Sequence, residues 1–90
     1  MKVKYFATYR EIAQRKGEDV PAPPDVWALL LSLCERYPGF RAKLLTPDGS
    51  DIGAETIILV NGRNVCHLDG RGTPLTEQDV VSVFPVVAGG

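Results

Sequence analysis

With two cysteines, one histidine and one tryptophan in 90 residues, the chain lacks the material for most kinds of site chemistry. Cys34 and Cys66 cannot form a disulfide framework of the secreted kind, and with His67 as the only imidazole they make a poor metal site. An iron–sulfur cluster needs four thiolates and is excluded. No serine is flanked as in a nucleophile elbow, and no spaced glycines lead into a Lys-Ser or Lys-Thr pair that would cradle a phosphate. The acidic residues are scattered over turns and helix ends, and a lone His67 in an expected strand reads as structural. The chain is therefore expected to have no active site of its own and to bind no cofactor.

Charge is also nearly balanced. Ten Lys and Arg against eleven Asp and Glu leave a net charge of -1 with no basic block, so nucleic acid is not an expected partner. The opening MKVKYFATYR has no apolar core long enough for a signal peptide, and the longest aliphatic stretch, VWALLLSLC, is too short to span a bilayer. The expectation is a cytoplasmic protein without a membrane partner.

What remains is a pattern of short elements. Ninety residues support one core, in which about 60% of the unfolded chain's surface is buried. Val3, Tyr5 and Ala7 alternate with Lys2, Lys4, Phe6 and Thr8, predicting a half-buried strand with Phe6 on its polar side. Thr8 and Glu11 have capping-box spacing, predicting a short helix over REIAQRK that stops at Gly17. The prolines of EDVPAPPD limit that stretch to an edge strand or an extended connector, and Asp25 is placed to cap the next helix. Val26, Leu29, Leu30, Leu33 and Tyr37 form an apolar stripe at helical spacing, ended by Pro38-Gly39, with Trp27 and Leu31 to one side. After one further turn in FRAKLL, the run TPDGSDIGAE reads as a surface loop. TIILV and RNVCHL flank Asn61-Gly62 as a type I′ hairpin, and VVSVFP is a last strand with Ser82 and Phe84 on one face. Strand, helix, weak strand, long helix, hairpin and strand describe an α+β roll. Among such rolls the β-grasp fits best, a mixed sheet covered by one main helix with the first and last strands central.

The chain closes on FPVVAGG, Phe84 to Gly90. From Val80 onward no side chain is charged, and after Pro85 nothing alternates as a strand does, so residues 1–85 are read as the domain and 86–90 as a flexible tail. Five residues beyond Pro85 reach about 17 Å when extended, enough to carry a carboxylate into another protein. Ala88, Gly89 and Gly90 give the last part almost no width, and glycine's freedom from the Cβ restriction suits a narrow channel. Two glycines at a given place arise by chance in roughly one chain in 200, so the pair gains meaning only from the domain before it.

VFPVVAGG, the VNGRN turn after the third strand, the LDG turn and the TPLTEQDVV approach to the last strand resemble the ubiquitin-like sulfur carriers of the MoaD type. These are the small subunits of molybdopterin synthase and their relatives, including the archaeal-type small modifiers. The resemblance covers essentially the whole chain and supports the β-grasp. It implies that an E1-like adenylyltransferase uses ATP to adenylate the carboxylate of Gly90, next to Gly89. Sulfur from a sulfurtransferase or cysteine desulfurase then replaces AMP. The thiocarboxylate would enter the molybdopterin synthase large subunit and donate sulfur to a pterin precursor for a molybdenum or tungsten cofactor.

The resemblance further implies a docking surface containing Phe6 and Phe84, with Arg10 pairing an acidic partner group and Pro85, Val86, Val87 and Ala88 as the inserted stem. Against this stands the reading that Phe6 and Phe84 stack under a loop of their own chain. Val86 replaces the second proline usual in the family, which predicts a less stiff stem. Three other functions stay open: a modifier joined through Gly90 to lysines of other proteins, a carrier for thiamine or another thiolated product, and a binding module with an inert tail.

Overall fold

The alternation of exposed Lys2 and Lys4 with fully buried Val3 and Tyr5 produces β1 (Lys2–Tyr5). The computed structural model describes residues 1–86, so the expectations on Val87, Ala88, Gly89 and Gly90 lie outside the described residues. From β1 the chain passes into α1 (Thr8–Ala13), β2 (Gly17–Asp19) and, through a proline-bearing connector, α2 (Val26–Arg36). A 3-10 turn at Pro38–Phe40 leads to the single-turn α3 (Arg41–Leu44), and a loop leads to β3 (Thr56–Val60). β4 (Arg63–Asn64) and two 3-10 turns, Val65–His67 and Gly70–Gly72, precede β5 (Val80–Pro85).

The five strands lie in the order β2-β1-β5-β3-β4. β1 and β5 run parallel, with Val3 opposite Val81 and Tyr5 opposite Val83, and the other neighbours pair antiparallel. First and last strands are thus adjacent, as the β-grasp requires. α2 covers one face, burying Val26, Leu29, Leu30 and Leu33 in a single cluster with Val3, Tyr5, Ile58, Val81 and Val83. Asp25 caps it as expected, its Oδ1 accepting the Ala28 N–H at 2.8 Å, a bond worth about 1 kcal/mol. Tyr37 falls just past the helix and joins Tyr5, Tyr9 and Phe40 in an aromatic cluster with ring centroids 5.0 to 5.9 Å apart. Trp27 is half-buried under the Arg71 guanidinium, and Leu31 is exposed.

Several elements depart from expectation. The Thr8–Glu11 capping box does not form: the N-cap is Ala7, which makes no side-chain cap bond, and the helix runs Thr8–Ala13 rather than Arg10 to Lys16. It stops at Gln14, which adopts the left-handed conformation, and not at Gly17. Gly17 instead begins β2, where an added Cβ would lie 2.7 Å from the Val3 carbonyl oxygen. The hairpin turn is as expected, with φ of 53° at Asn61 and 83° at Gly62. Its second strand ends early because the Asn64 side chain accepts the Cys66 N–H at 3.0 Å and draws the backbone into a 3-10 turn. Cys66 and His67 are therefore exposed on a turn rather than placed in a strand. Pro85 is still paired, with Thr56, and the Val86 N–H donates to the Glu55 carbonyl at 2.7 Å, so the ladder runs one residue beyond the expected exit. Among the described residues no helix is long and apolar enough to cross a membrane.

Ala7 carries the sharpest backbone constraint, with φ 53° and ψ -125°. Side chains avoid this region because the Cβ crowds the backbone, at about 1–3 kcal/mol. Ala7→Gly removes that strain, against an unfolded-state entropy penalty of about 0.5–1 kcal/mol. The variant is expected to be more stable by about 1 kcal/mol, read as a higher urea midpoint at unchanged m-value; an equal or lower midpoint would show that Ala7 stores no strain.

Candidate functional site

β5 alternates sharply, with Val81 and Val83 fully buried under α2 and Val80, Ser82 and Phe84 half-buried on the opposite face. Ile57 and Leu59 of β3 share that face, since they pair directly with Phe84 and Ser82. Lys2 and Lys4 of β1 stand on its other flank, opposite Val80 and Ser82. Phe6 follows β1 with its N–H donated to the Val83 carbonyl at 3.1 Å. Its ring lies flat on Phe84, centroids 4.1 Å apart and planes 9° from parallel. Arg10, one turn into α1, places its guanidinium 5.5 Å over the Phe6 ring and donates Nε to the Tyr5 carbonyl at 3.2 Å.

Phe6, Arg10 and Phe84 therefore form one unit. The two rings stack on each other and both keep part of their surface open. Pro85 and Val86 continue from it, and Val86 is 45% exposed. The cleft at this end is lined by Thr8, Tyr9, Lys43, Glu55, Pro85 and Val86. Beneath it Thr56 Oγ1 donates to the Lys43 carbonyl at 2.7 Å, so the 2.6 Å contact with Tyr9 must be a bond donated by the Tyr9 hydroxyl. These two bonds tie α1, the end of α3 and β3 together where β5 finishes. Burial pushes the Tyr9 phenol above its ordinary range. The remaining site residues, Val87, Ala88, Gly89 and Gly90, lie outside the described residues. Ile57 and Leu59 were missed from sequence, where TIILV was read only as one strand of the hairpin; the β3–β5 register places them on this face.

The flank of this face is shaped by a carboxylate that points away from it. Glu18 of β2 sits opposite Val3, its side chain only 8% exposed, and accepts hydroxyl protons from Tyr5 and Tyr37 at 2.6 Å each. Arg36 also donates to it, and Arg15 lies 3.6 Å away. Burial alone would raise this carboxyl. The hydrogen bonds from Tyr37, Tyr5 and Arg36, with the Arg36 charge, outweigh burial and bring it down to about 2. Burial and the same carboxylate push Tyr5 and Tyr37 up.

A family model described as "ThiS family" matches residues 3–90. The chain is 38% identical to small archaeal modifier protein 3 of Haloferax volcanii over all of its own length and 98% of that protein. It is 28% identical to the molybdopterin synthase sulfur carrier subunit of Emericella nidulans, covering 98% of this chain and 94% of the other. The solution structure of small archaeal modifier protein 1 from Methanosarcina acetivorans superposes with a TM-score of 0.88 at 32% identity, over 99% of this chain and 94% of that one.

The Glu18 network has a pH signature. A carboxyl lowered on folding stabilises the fold fully above its unfolded value near 4.5, and that stability is lost as pH falls through about 2. Glu18→Gln is expected to lose about 2–3 kcal/mol at neutral pH in urea denaturation, with the gap to the native chain closing between those two values. A gap that does not change with pH would mean that ionised Glu18 contributes nothing.

Proposed function

This chain belongs to the ThiS family of ubiquitin-like proteins, and from that premise we propose that it is a sulfur carrier acting as the small subunit of a molybdopterin synthase. The observation that carries the reading is the reach of the family match to residue 90, which puts Gly89 and Gly90 inside the matched region. In the proposed cycle a Gly90 carboxylate oxygen attacks the α-phosphorus of ATP in an E1-like adenylyltransferase and expels pyrophosphate. The outer sulfur of a persulfide on a sulfurtransferase or cysteine desulfurase attacks the acyl carbon and expels AMP. A thiol then cleaves the S–S bond of the acyl disulfide, releasing the thiocarboxylate and forming a disulfide with the donor. Inside the large subunit that thiocarboxylate donates its sulfur to a pterin precursor. A free carboxylate is a poor electrophile, and activation as an acyl phosphate supplies the leaving group. An unhindered glycine admits the terminus to both active sites, where binding and orientation accelerate the transfer.

The domain's part is docking and delivery. The stacked Phe6 and Phe84 offer a rigid aromatic anchor at the end of β5, and Arg10 adds a cation beside it. Pro85 and Val86 start the stem that Val87 and Ala88 continue in sequence. A second reading, a modifier joined through Gly90 to lysines of other proteins, is favoured by the 38% identity to a protein named a small archaeal modifier. Both readings share the adenylation step.

Intact mass of the chain isolated from its own cells separates them. An oxygen-to-sulfur exchange at Gly90 is expected for the carrier, whereas branched lysine adducts would mark the modifier. Deleting Gly90 is expected to leave the urea midpoint unchanged and abolish sulfur transfer; cofactor synthesis supported by the truncated chain would end the carrier reading. Phe84→Glu is expected to raise the KM for the large subunit roughly tenfold or more, with the fold retained because Phe84 is only half-buried. An unchanged KM would take Phe84 out of the interface.

A further inference from the structure

We propose that the groove along β1 and β2 is a second half of the docking surface, and that it receives an acidic segment of the activating enzyme, carboxylates seated along Lys2 and Lys4 beside Phe6. This inference rests on the carrier reading above. The groove is lined by Lys2, Lys4, Phe6, Arg10, Lys16 and Asp19, so four of the chain's ten Lys and Arg meet in one place although the net charge is -1. Among the described residues none of these four cations is in an ion pair; the bridges formed use the N-terminus, Arg15 and Arg36. Glu18 borders the groove but its carboxylate is held by Tyr5, Tyr37 and Arg36, so Asp19 is the one lining acid without such a commitment.

Lys2 and Lys4 are alternate residues of one strand, so their side chains repeat at about 7 Å on the same face. An extended partner segment presents its own alternate side chains at that repeat, which matches two carboxylates to two ammonium groups. The groove is continuous with the stacked aromatic pair through Phe6 and Arg10, so a segment lying in it reaches the apolar anchor. Complementary charge of this kind steers encounter and fixes register more than it adds raw affinity.

Two other occupants fit less well. A single nucleic acid strand gains affinity and hold by stacking its bases on an open aromatic face. The aromatic lining the groove, Phe6, has Phe84 stacked on its ring and the Arg10 guanidinium over it. A second copy would bring a groove of the same sign, so acids outside that groove, such as Glu35, Asp48, Asp51, Glu55 and Asp69, would have to face Lys2 and Lys4.

The test uses the full chain with the purified activating enzyme, read by carrier-dependent ATP–pyrophosphate exchange. Lys2→Glu with Lys4→Glu is expected to raise the KM for the carrier about tenfold at low salt with kcat unchanged, the difference shrinking as salt screens the charges. Arg63→Glu, exposed on β4 at the far edge of the sheet, should leave KM within twofold. An unchanged KM in the double variant, or an equal rise in the control, overturns the proposal.

An independent arm titrates the ¹⁵N-labelled chain with a synthetic peptide of alternating Glu and Val, with its Lys and Val counterpart, and with a single-stranded oligonucleotide. Shifts at Lys2, Lys4, Phe6 and Lys16 from the acidic peptide alone support the proposal. Equal shifts from the oligonucleotide, or sedimentation showing self-association that Lys2→Glu abolishes, would give the groove to another partner. Failure of the enzyme to activate the native chain defeats the carrier reading, while the titration still decides the groove.

Discussion

Everything in this molecule depends on β5 lying between β1 and β3. A strand bonded on both sides has no free edge, and its inward residues must be small enough to meet a helix across the sheet; Val81 and Val83 meet that demand and are fully buried. The parallel partner on one side and the antiparallel partner on the other fix the register twice over. A one-residue slip would have to break both ladders and would turn Phe84 into the core and a valine out. The same alternation that buries the valines thus places Phe84 on the open face. The Val86 N–H bond to Glu55 then extends the fixed part to the last described residue.

The start of the chain is bent to serve that strand. β1 must stop at Tyr5 and reverse into α1 within two residues, because Phe6 is still bonded to Val83 while Thr8 is already helical. Ala7 absorbs the turn at a positive φ. The turn holds Phe6 against Phe84, and α1 brings Arg10 over Phe6 one turn later. Local strain, an aromatic stack and a cation are consequences of one tight reversal at the end of a central strand.

The features legible in the sequence are those set within a few residues. Asp25 caps α2, Asn61-Gly62 makes the turn, and the alternation in β1 and β5 sorts core from surface, because each depends on spacing along one element. The capping box at Thr8 and Glu11 had correct spacing and failed, since the backbone at Ala7 is set by the sheet and not by the helix. RNVCHL read as a strand until Asn64 offered its side chain to Cys66, a local bond that outcompeted the ladder on an edge where pairing is weakest. Of the site, periodicity put Phe6 and Phe84 each on the polar side of its own strand, but their shared face and stacking required the β1–β5 register. The role proposed for Gly89 and Gly90 rests on the family resemblance and not on geometry.

The basic groove draws on a local excess of cations at the start of the chain that the balanced total conceals. Lys2, Lys4, Arg10 and Lys16 all fall in the first sixteen residues, where Glu11 is the one acid, but they line one groove only when β2 folds back on β1. That convergence would be weakened if Glu18 faced outward. Pairing opposite Val3 turns Glu18 toward the helix side, where Tyr5 and Tyr37 arise from the aromatic core and Arg36 from the end of α2. A carboxylate buried there without those three donors would carry a desolvation penalty of several kcal/mol, so the aromatic cluster that closes the core also makes the inward turn of Glu18 tolerable. The positive potential on one face is therefore a product of packing on the other. Tyr37, although it packs in the aromatic core, is thus one of the donors that hold the Glu18 carboxylate away from the groove.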